Sequence, residues 1–327
     1  MKDFEYKNHL HEIEHVGSRL VLGDEKRLPS PLVTVIMPIY NHPEYFKKSL
    51  SAVLNQRCDF EYEVIIVDNG HPELQKDNQK VVEELMTPFT WYYVNNENVG
   101  GCNNQNMGIL LANGKYITFC HDDDVFYKDT LQNLINEKRK HPNEDCAIYG
   151  RITIIDENDN VLTRNNEWDS FFLKKKISYK VEMDDFLLRN YSNGCGSLYD
   201  RIKLLEIGGF CTDYIPTPDY ALNAYYTALN GAYAIRNKTL MYRVSPSSDT
   251  GKVYPLMIDV NKRIRYNILK SGKINHYPKW MVDISLKTFK QDLYSKWGKK
   301  SKGIFSYIDK TISRLWLYFI YWRRSQR

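Results

Sequence analysis

The feature that most constrains this chain is an alternation, from Pro31 to Cys120, of strand-length apolar runs with segments of helical periodicity. "LVTVIMPIY" is a continuous apolar run, and the "PEYFKKSLSAVLNQ" that follows it sets Phe46, Leu50, Val53 and Leu54 at helical spacing. The same grammar recurs through "YEVIIVD", "ELQKDNQKVVEELM", "TWYYVNN", "GCNNQNMGILLANG" and "KYITFC". Strands that are apolar on both faces and alternate with helices imply a mostly parallel, Rossmann-like α/β sheet with right-handed crossovers. Ligands bind such sheets outside the carboxyl ends of the strands.

That rule gathers the polar residues. Tyr40 and Asn41 follow the first strand, Asp68, Asn69 and Gly70 the second, Asn95 to Gly101 the third, and the triplet Asp122, Asp123 and Asp124 the fourth. Four polar clusters on one edge point to a single site. Adjacent carboxylates at the end of a buried strand raise one another's pKa and cost stability unless a cation or hydrogen-bond donors compensate. Mg²⁺ and Mn²⁺ prefer carboxylate oxygens and fill their other positions with water and substrate phosphates. The triplet reads either as half of a metal site completed by a diphosphate, or as a helix cap at Asp124 beside two solvated acids.

The rest of the chain divides by composition. Residues 1–30 are polar and end in "LPSP", which reads as a linker behind a peripheral extension, with His9, His11 and His15 on a solvated helix face. Residues 31–250 carry the strand–helix pattern. Past a strand at "CAIYGRITIID", "NDN" before "VLTRNN" reads as a hairpin and "VEMDDFLLRN" as a short helix. A helix in "DRIKLLEIGGF" stops at Gly208, and another begins near Pro218 with Asp219 in its first turn, where a negative charge is favourable. Residues 251–327 read as a helical extension that ends in basic and aromatic residues.

Charge and cysteine usage narrow the setting. The net charge of +5 hides an asymmetry, because Lys287 to Arg327 holds 11 Lys and Arg against two acids and leaves 34 basic against 38 acidic residues elsewhere. Attraction to anionic surfaces is expected at the C-terminus. The six cysteines form no C-x-x-C pair and suit a reducing cytosol. No apolar stretch approaches the roughly 20 residues of a membrane span.

The blocks "TVIMPIYNHPEYFKKSLSAVLNQ", "YEVIIVDNG", "NENVGGCNNQNMGILLANGKYITFCHDDD" and "IGGF" with "PDYALN" resemble, in order and spacing, those of the family 2 inverting glycosyltransferases with the GT-A fold. The resemblance covers residues 31 to 245. It implies a GT-A domain of α/β class, a UDP-sugar donor, a Mn²⁺ or Mg²⁺ cofactor and displacement with inversion. Carried over by position, it implies that Tyr40 flanks the base, Pro38 shapes that loop, and Asp68 and Asn69 contact base or ribose. Asn69 stands where many relatives have an acid.

The family's D-x-D block falls on His121, Asp122 and Asp123. Asp123 is then the metal ligand, Asp122 contacts ribose or metal-bound water, Asp124 is a supporting cap, and His121 is either a ligand or a hydrogen-bonding spacer. Asp219 falls where the family keeps its catalytic base, with Pro218 before it in place of the usual Glu. The "SNGCGS" loop, with Gly194 and Ser197, falls where relatives line the sugar and acceptor pocket, although a tight turn explains it as well. Arg243 resembles a late basic position that meets the diphosphate after loop closure, or else is an exposed ion-pairing arginine. Trp168 is a sugar platform or a core residue.

The expected function is transfer of a hexose or N-acetylhexosamine from a UDP-sugar to a saccharide or lipid-linked saccharide acceptor, in surface polysaccharide or glycan assembly. The run "GIFSYIDKTISRLWLYFIYWRR" suits a headgroup interface, so that residues 299–327 dock the enzyme on the cytoplasmic face of the cell membrane, or else pack on the domain or form a dimer contact. No basic recognition motif points to nucleic acid. A dinucleotide oxidoreductase would share the architecture, but "PIYNHPEYF" lacks the G-x-G-x-x-G turn. A non-catalytic saccharide-binding or scaffold protein on the same fold is the alternative.

Overall fold

The strands β2 (Val33–Ile39) and β3 (Tyr62–Asp68) are buried along their whole length, which is why neither alternates polar with apolar residues. The computed structural model describes residues 4–27, 30–40, 42–69, 72–162, 178–187, 190, 194–244, 250–271 and 279–297. Asn41, Gly70, Trp168 and the tail 299–327 lie outside the described residues.

β2 pairs with β3 in parallel, from Val33 opposite Tyr62 to Ile39 opposite Asp68. β4 (Thr90–Asn95) adds to β3, and β5 (Tyr116–Phe119) to β2, both in parallel. These four strands aim their carboxyl ends at one edge. Beyond β5 comes antiparallel β9 (Ser197–Asp200), then β7 (Ala147–Ile155) and β10 (Ala232–Arg243), which are parallel to one another. Two reversals at β9 restore the original direction, so Ile155 and Arg243 end at the same edge as Ile39 and Asp68, and β9 starts there. The short β6 (Val125–Phe126) and β8 (Ser178–Val181) both pair antiparallel with β10.

The crossovers are α1 (Pro43–Leu54), α2 (Pro72–Leu85) and α3 (Gly100–Leu111), with α4 (Thr130–Lys138) leading into β7. Proline at the first helical position starts α1, where its missing N–H costs nothing. Val64 and Ile66 join a cluster with Phe46, Leu50 and Val82, whereas Ile65 and Val67 join Trp91, Met107 and Ile13, as the period of two dictates. Each such aliphatic side chain contributes about 1.5–3 kcal/mol by leaving water.

Further on, α5 (Arg201–Ile207) ends at Gly208 with φ 89°, and α6 (Pro218–Asn230) starts on a proline. α7 (Thr250–Lys270) and α8 (Lys279–Trp297) pack together. Arg265 of α7 donates to Ser285 of α8 at 2.8 Å and to the Tyr220 hydroxyl of α6 at 3.0 Å. This bond docks the helical extension one residue from Asp219. Among the described residues no helix is long and apolar enough to cross a membrane.

The N-terminal segment departs from expectation. It is no peripheral arm: β1 (Ser18–Leu22) pairs antiparallel with β4 and extends the sheet, and Phe4, Leu10 and Ile13 are buried. Arg27 reaches Glu63, fully buried in β3, at 2.5 Å. His9 is buried and contacts Glu12 and Thr212, while His11 and His15 are exposed, so the three histidines share no solvated face. Polar composition alone could not reveal that Phe4 and Tyr6 find partners more than two hundred residues later, as when Phe4 packs against Tyr214 and the Tyr6 hydroxyl donates to the Gly209 carbonyl.

Candidate active site

The acidic triplet sits in the turn between β5 and β6, and each carboxylate meets a different environment. Asp122 is buried, its Oδ2 accepting the Tyr40 N–H at 3.0 Å while its carbonyl accepts the Ser49 hydroxyl at 3.0 Å. Asp124 is fully buried; Oδ1 accepts the Arg243 N–H at 3.0 Å, and Oδ2 has no hydrogen-bond partner among the described residues. Asp123 is half-buried. Burial raises all three carboxyls above the ordinary range, and the Asp123 charge adds to the rise at its two neighbours. Burial also lowers the His121 imidazole, whose Nδ1 lies 3.8 Å from Asp124 Oδ2.

The helix-cap reading of Asp124 is corrected by this geometry. The residues after the triplet form β6, α4 begins only at Thr130, and Asp124 holds the end of β10. Hydrogen bonding to a strand distant in sequence leaves no local signal.

Arg243 is likewise not an exposed ion-pairing residue. Its side chain is 1% exposed, and it donates to the Asp123 carbonyl at 2.9 Å, the Asp156 carbonyl at 2.9 Å and the Asp159 carboxylate at 2.8 Å. It lies over the Tyr45 ring at 4.3 Å. The guanidinium thus clamps the triplet to the turn after β7.

On the other side of β5, residues 194–196 join the two acidic centres. Gly196 donates to the Phe119 carbonyl at 3.0 Å. The Cys195 thiol accepts the His121 backbone N–H, and ligand atoms of His121, Asp124 and Cys195 lie within 4.8 Å of one another. A Cβ at Gly194 would stand 3.9 Å from the Asp219 Cβ. Consecutive residues therefore lie beside the triplet and beside Asp219, which brings Asp219 of α6 near the edge where β5 ends. The Asp219 carboxyl is pushed up to about 6 by burial, against hydrogen bonds from the Tyr220 N–H and from Asn190, whose amide is 2.7 Å away.

The remaining expected residues divide into exposed and buried. Tyr40 is 40% exposed at the end of β2, next to buried Pro38. Asp68 is fully buried and accepts the Tyr92 hydroxyl at 2.6 Å and the Asn78 amide at 3.1 Å. Asn69 is also buried: it donates to Asn98 at 2.9 Å and accepts from Val99 and Asn95, so it braces the loop between β4 and α3. Ser197 is fully buried at the start of β9, opposite Tyr149.

Two asparagines escaped the sequence reading. Asn104 of α3 donates to the carbonyls of Ile39 and Val67 and clips the ends of β2 and β3 together. Asn190 holds Asp219. For Asn104 a signal existed, since an asparagine inside an apolar helix needs a partner; for Asn190 none did.

An open, mostly parallel sheet with an acidic cluster at its strand ends is the GT-A architecture. A crystal structure of S. aureus TarS in complex with UDP-GlcNAc superposes with a TM-score of 0.58 at 16% identity, over 86% of this chain and 79% of that one, a likeness of fold. Residues 34–202 match the family model described as Glycosyl transferase family 2, and the chain belongs to that family. An uncharacterized glycosyltransferase of Rickettsia typhi is 26% identical over 287 residues, 85% of this chain and 83% of its own length. Another, from Rickettsia conorii, is 30% identical over 195 residues, 58% of this chain, and this chain spans only 30% of its length.

Proposed function

We propose that this chain is an inverting glycosyltransferase that moves a hexose or N-acetylhexosamine from a UDP-sugar to a hydroxyl of a saccharide or lipid-linked saccharide acceptor. The observation that carries the reading is the nearness of Gly194 to Asp219, where an added Cβ would stand 3.9 Å from the Asp219 Cβ, beside the closeness of Cys195 to His121 and Asp124. Inversion by one displacement needs a base on the acceptor side and charge compensation on the leaving-group side, and these residues supply both within one edge of the sheet.

The donor set fits a divalent cation. Three carboxyls raised by burial, one with a buried oxygen that has no partner among the described residues, are stabilised by a positive charge. Asp123 would hold Mn²⁺ or Mg²⁺, with His121 beside it. When bound, the ion supplies charge neutralisation of the diphosphate leaving group. Tyr40, Pro38, Asp68 and Asp122 form the nucleotide side, and Asn69 and Arg243 hold that side in shape. Asp219 takes the proton of the acceptor hydroxyl. The acceptor oxygen forms its bond to the anomeric carbon as the bond to the diphosphate oxygen breaks, and UDP leaves with that electron pair.

On this reading residues 31–250 carry the chemistry, residues 1–30 complete the sheet edge, and residues 251–327 form a helical region whose end docks on the cytoplasmic face of the membrane. The bound UDP-GlcNAc of TarS supports the donor class. The test is UDP release and sugar transfer with Mn²⁺, comparing the parent with Asp219→Asn and Asp123→Ala. Transfer in the parent and its loss in both variants is expected. Donor binding without turnover for any donor and acceptor pair would make the chain a saccharide-binding or scaffold protein instead.

A further inference from the structure

We propose that Asn190 is a positioning residue for Asp219, held by a hydrogen-bond chain that runs through Asn223 to Tyr199. The inference rests on the reading of Asp219 as the base. The Asn190 amide donates to Asp219 Oδ2 at 2.7 Å, and its Oδ1 accepts from Nδ2 of Asn223 at 3.2 Å. Asp219 and Asn223 are four residues apart on α6 and so share a face one turn apart, which one amide spans. Asn223 and Tyr199 are both fully buried, and the Tyr199 hydroxyl donates to Asn223 Oδ1 at 2.6 Å.

This arrangement determines which end of Asn190 faces which partner. Reversing its amide would set oxygen against the Asp219 carboxylate and N–H against the N–H of Asn223. Tyr199 belongs to β9, so the chain ties the carboxylate to the sheet strand that begins beside Cys195. A base fixed through one oxygen presents the other in a constant direction, which removal of a single acceptor proton requires.

The same bond bears on charge. A donor to a carboxylate favours its ionised form, and here it opposes the burial of Asp219. Among titratable neighbours on other elements, Cys102 of α3 is within Coulombic reach; burial pushes its thiol up, and it stays uncharged near neutrality.

The test compares the parent with Asn190→Ala by kcat/KM against pH, and by carboxyl ¹³C NMR of aspartate-labelled protein, with the Asp219 signal identified by its loss in Asp219→Asn. In Asn190→Ala the midpoint rises by about one to two pH units in both measurements. At neutral pH kcat falls several-fold, whereas UDP-sugar affinity is kept. The NMR arm needs no turnover, so a parent without transferase activity would defeat the proposed function and leave this inference still measurable. An unchanged midpoint, or an equal loss of kcat at every pH with a lowered Tm, would overturn it. If Asn190→Ala fails to fold, Tyr199→Phe removes only the terminal hydroxyl; a smaller upward shift is expected there, and no shift overturns the proposal.

Discussion

The backbone N–H of Arg243 lies 3.0 Å from Asp124 Oδ1, and its Nε lies 2.9 Å from the Asp123 carbonyl, so the last residue of β10 holds the end of the triplet from two sides. Lysine cannot reproduce the forked contacts to Asp123, Asp156 and Asp159 or the stacking on Tyr45. Arg243→Lys is expected to destabilise the protein by about 3 kcal/mol and to weaken Mn²⁺ binding. Urea unfolding and metal titration check the two effects, and parent-like values in both would refute the clamp.

The proposed role of Asp219 as the base gives activity a pH dependence of definite sign. Its carboxyl is raised to about 6, and the proposed reaction uses the ionised form, so kcat/KM is expected to rise as pH increases through about 6 and then level off. The stability effect has the opposite direction. A native pKa above the unfolded value means that the protonated group is favoured by folding, and this contribution is lost as pH rises through about 6. Asp219→Asn should therefore gain stability relative to the parent more at pH ~7 than at pH ~4, while losing about 10² to 10⁴-fold in transfer. A parent pH–rate profile flat from pH ~5 to ~8 would remove Asp219 from the reaction.

Gly150 of β7 has no room for a side chain. A Cβ there would stand 1.9 Å from Thr239 Oγ1 and 2.6 Å from the Gly196 carbonyl oxygen. Gly150→Ala should cost about 1–3 kcal/mol through overpacking. Because the displaced carbonyl belongs to the segment that joins the triplet to Asp219, donor binding should weaken as well. A lowered urea midpoint with an unchanged m-value is the expected signature.

The tail is tested by flotation with anionic liposomes, comparing the full chain with one lacking residues 299–327. Its basic and aromatic residues predict that the full chain floats and the truncated one does not, with the difference fading at high salt. Equal recovery of the two would remove the membrane contact.

Much of this architecture was legible before any coordinate. The strands at Val33, Tyr62, Thr90 and Tyr116, the glycine stop at Gly208 and the proline start of α6 are written in local patterns, because apolar run length and helix-end chemistry act over a few residues. The strand-end rule then brought Tyr40, Asp68 and the triplet to one edge. The parts that misread were those whose partners lie far along the chain. Phe4 packs at a tilt against Tyr214 and Tyr6 stacks on Tyr225, and polar neighbours conceal this.

From the sequence alone, periodicity determined a mostly parallel α/β sheet and the edge at which its polar residues gather, since a strand buried on both faces can expose polar groups only at its ends. Tertiary structure alone decided what each polar residue does there. Arg243 meets Asp123 across 120 residues and Asn190 meets Asp219 across 29, and whether such a group becomes a clamp, a brace or an exposed ligand depends on which distant strand desolvates it. Burial and hydrogen-bond partnership are properties of the packed chain, and no spacing along it encodes them.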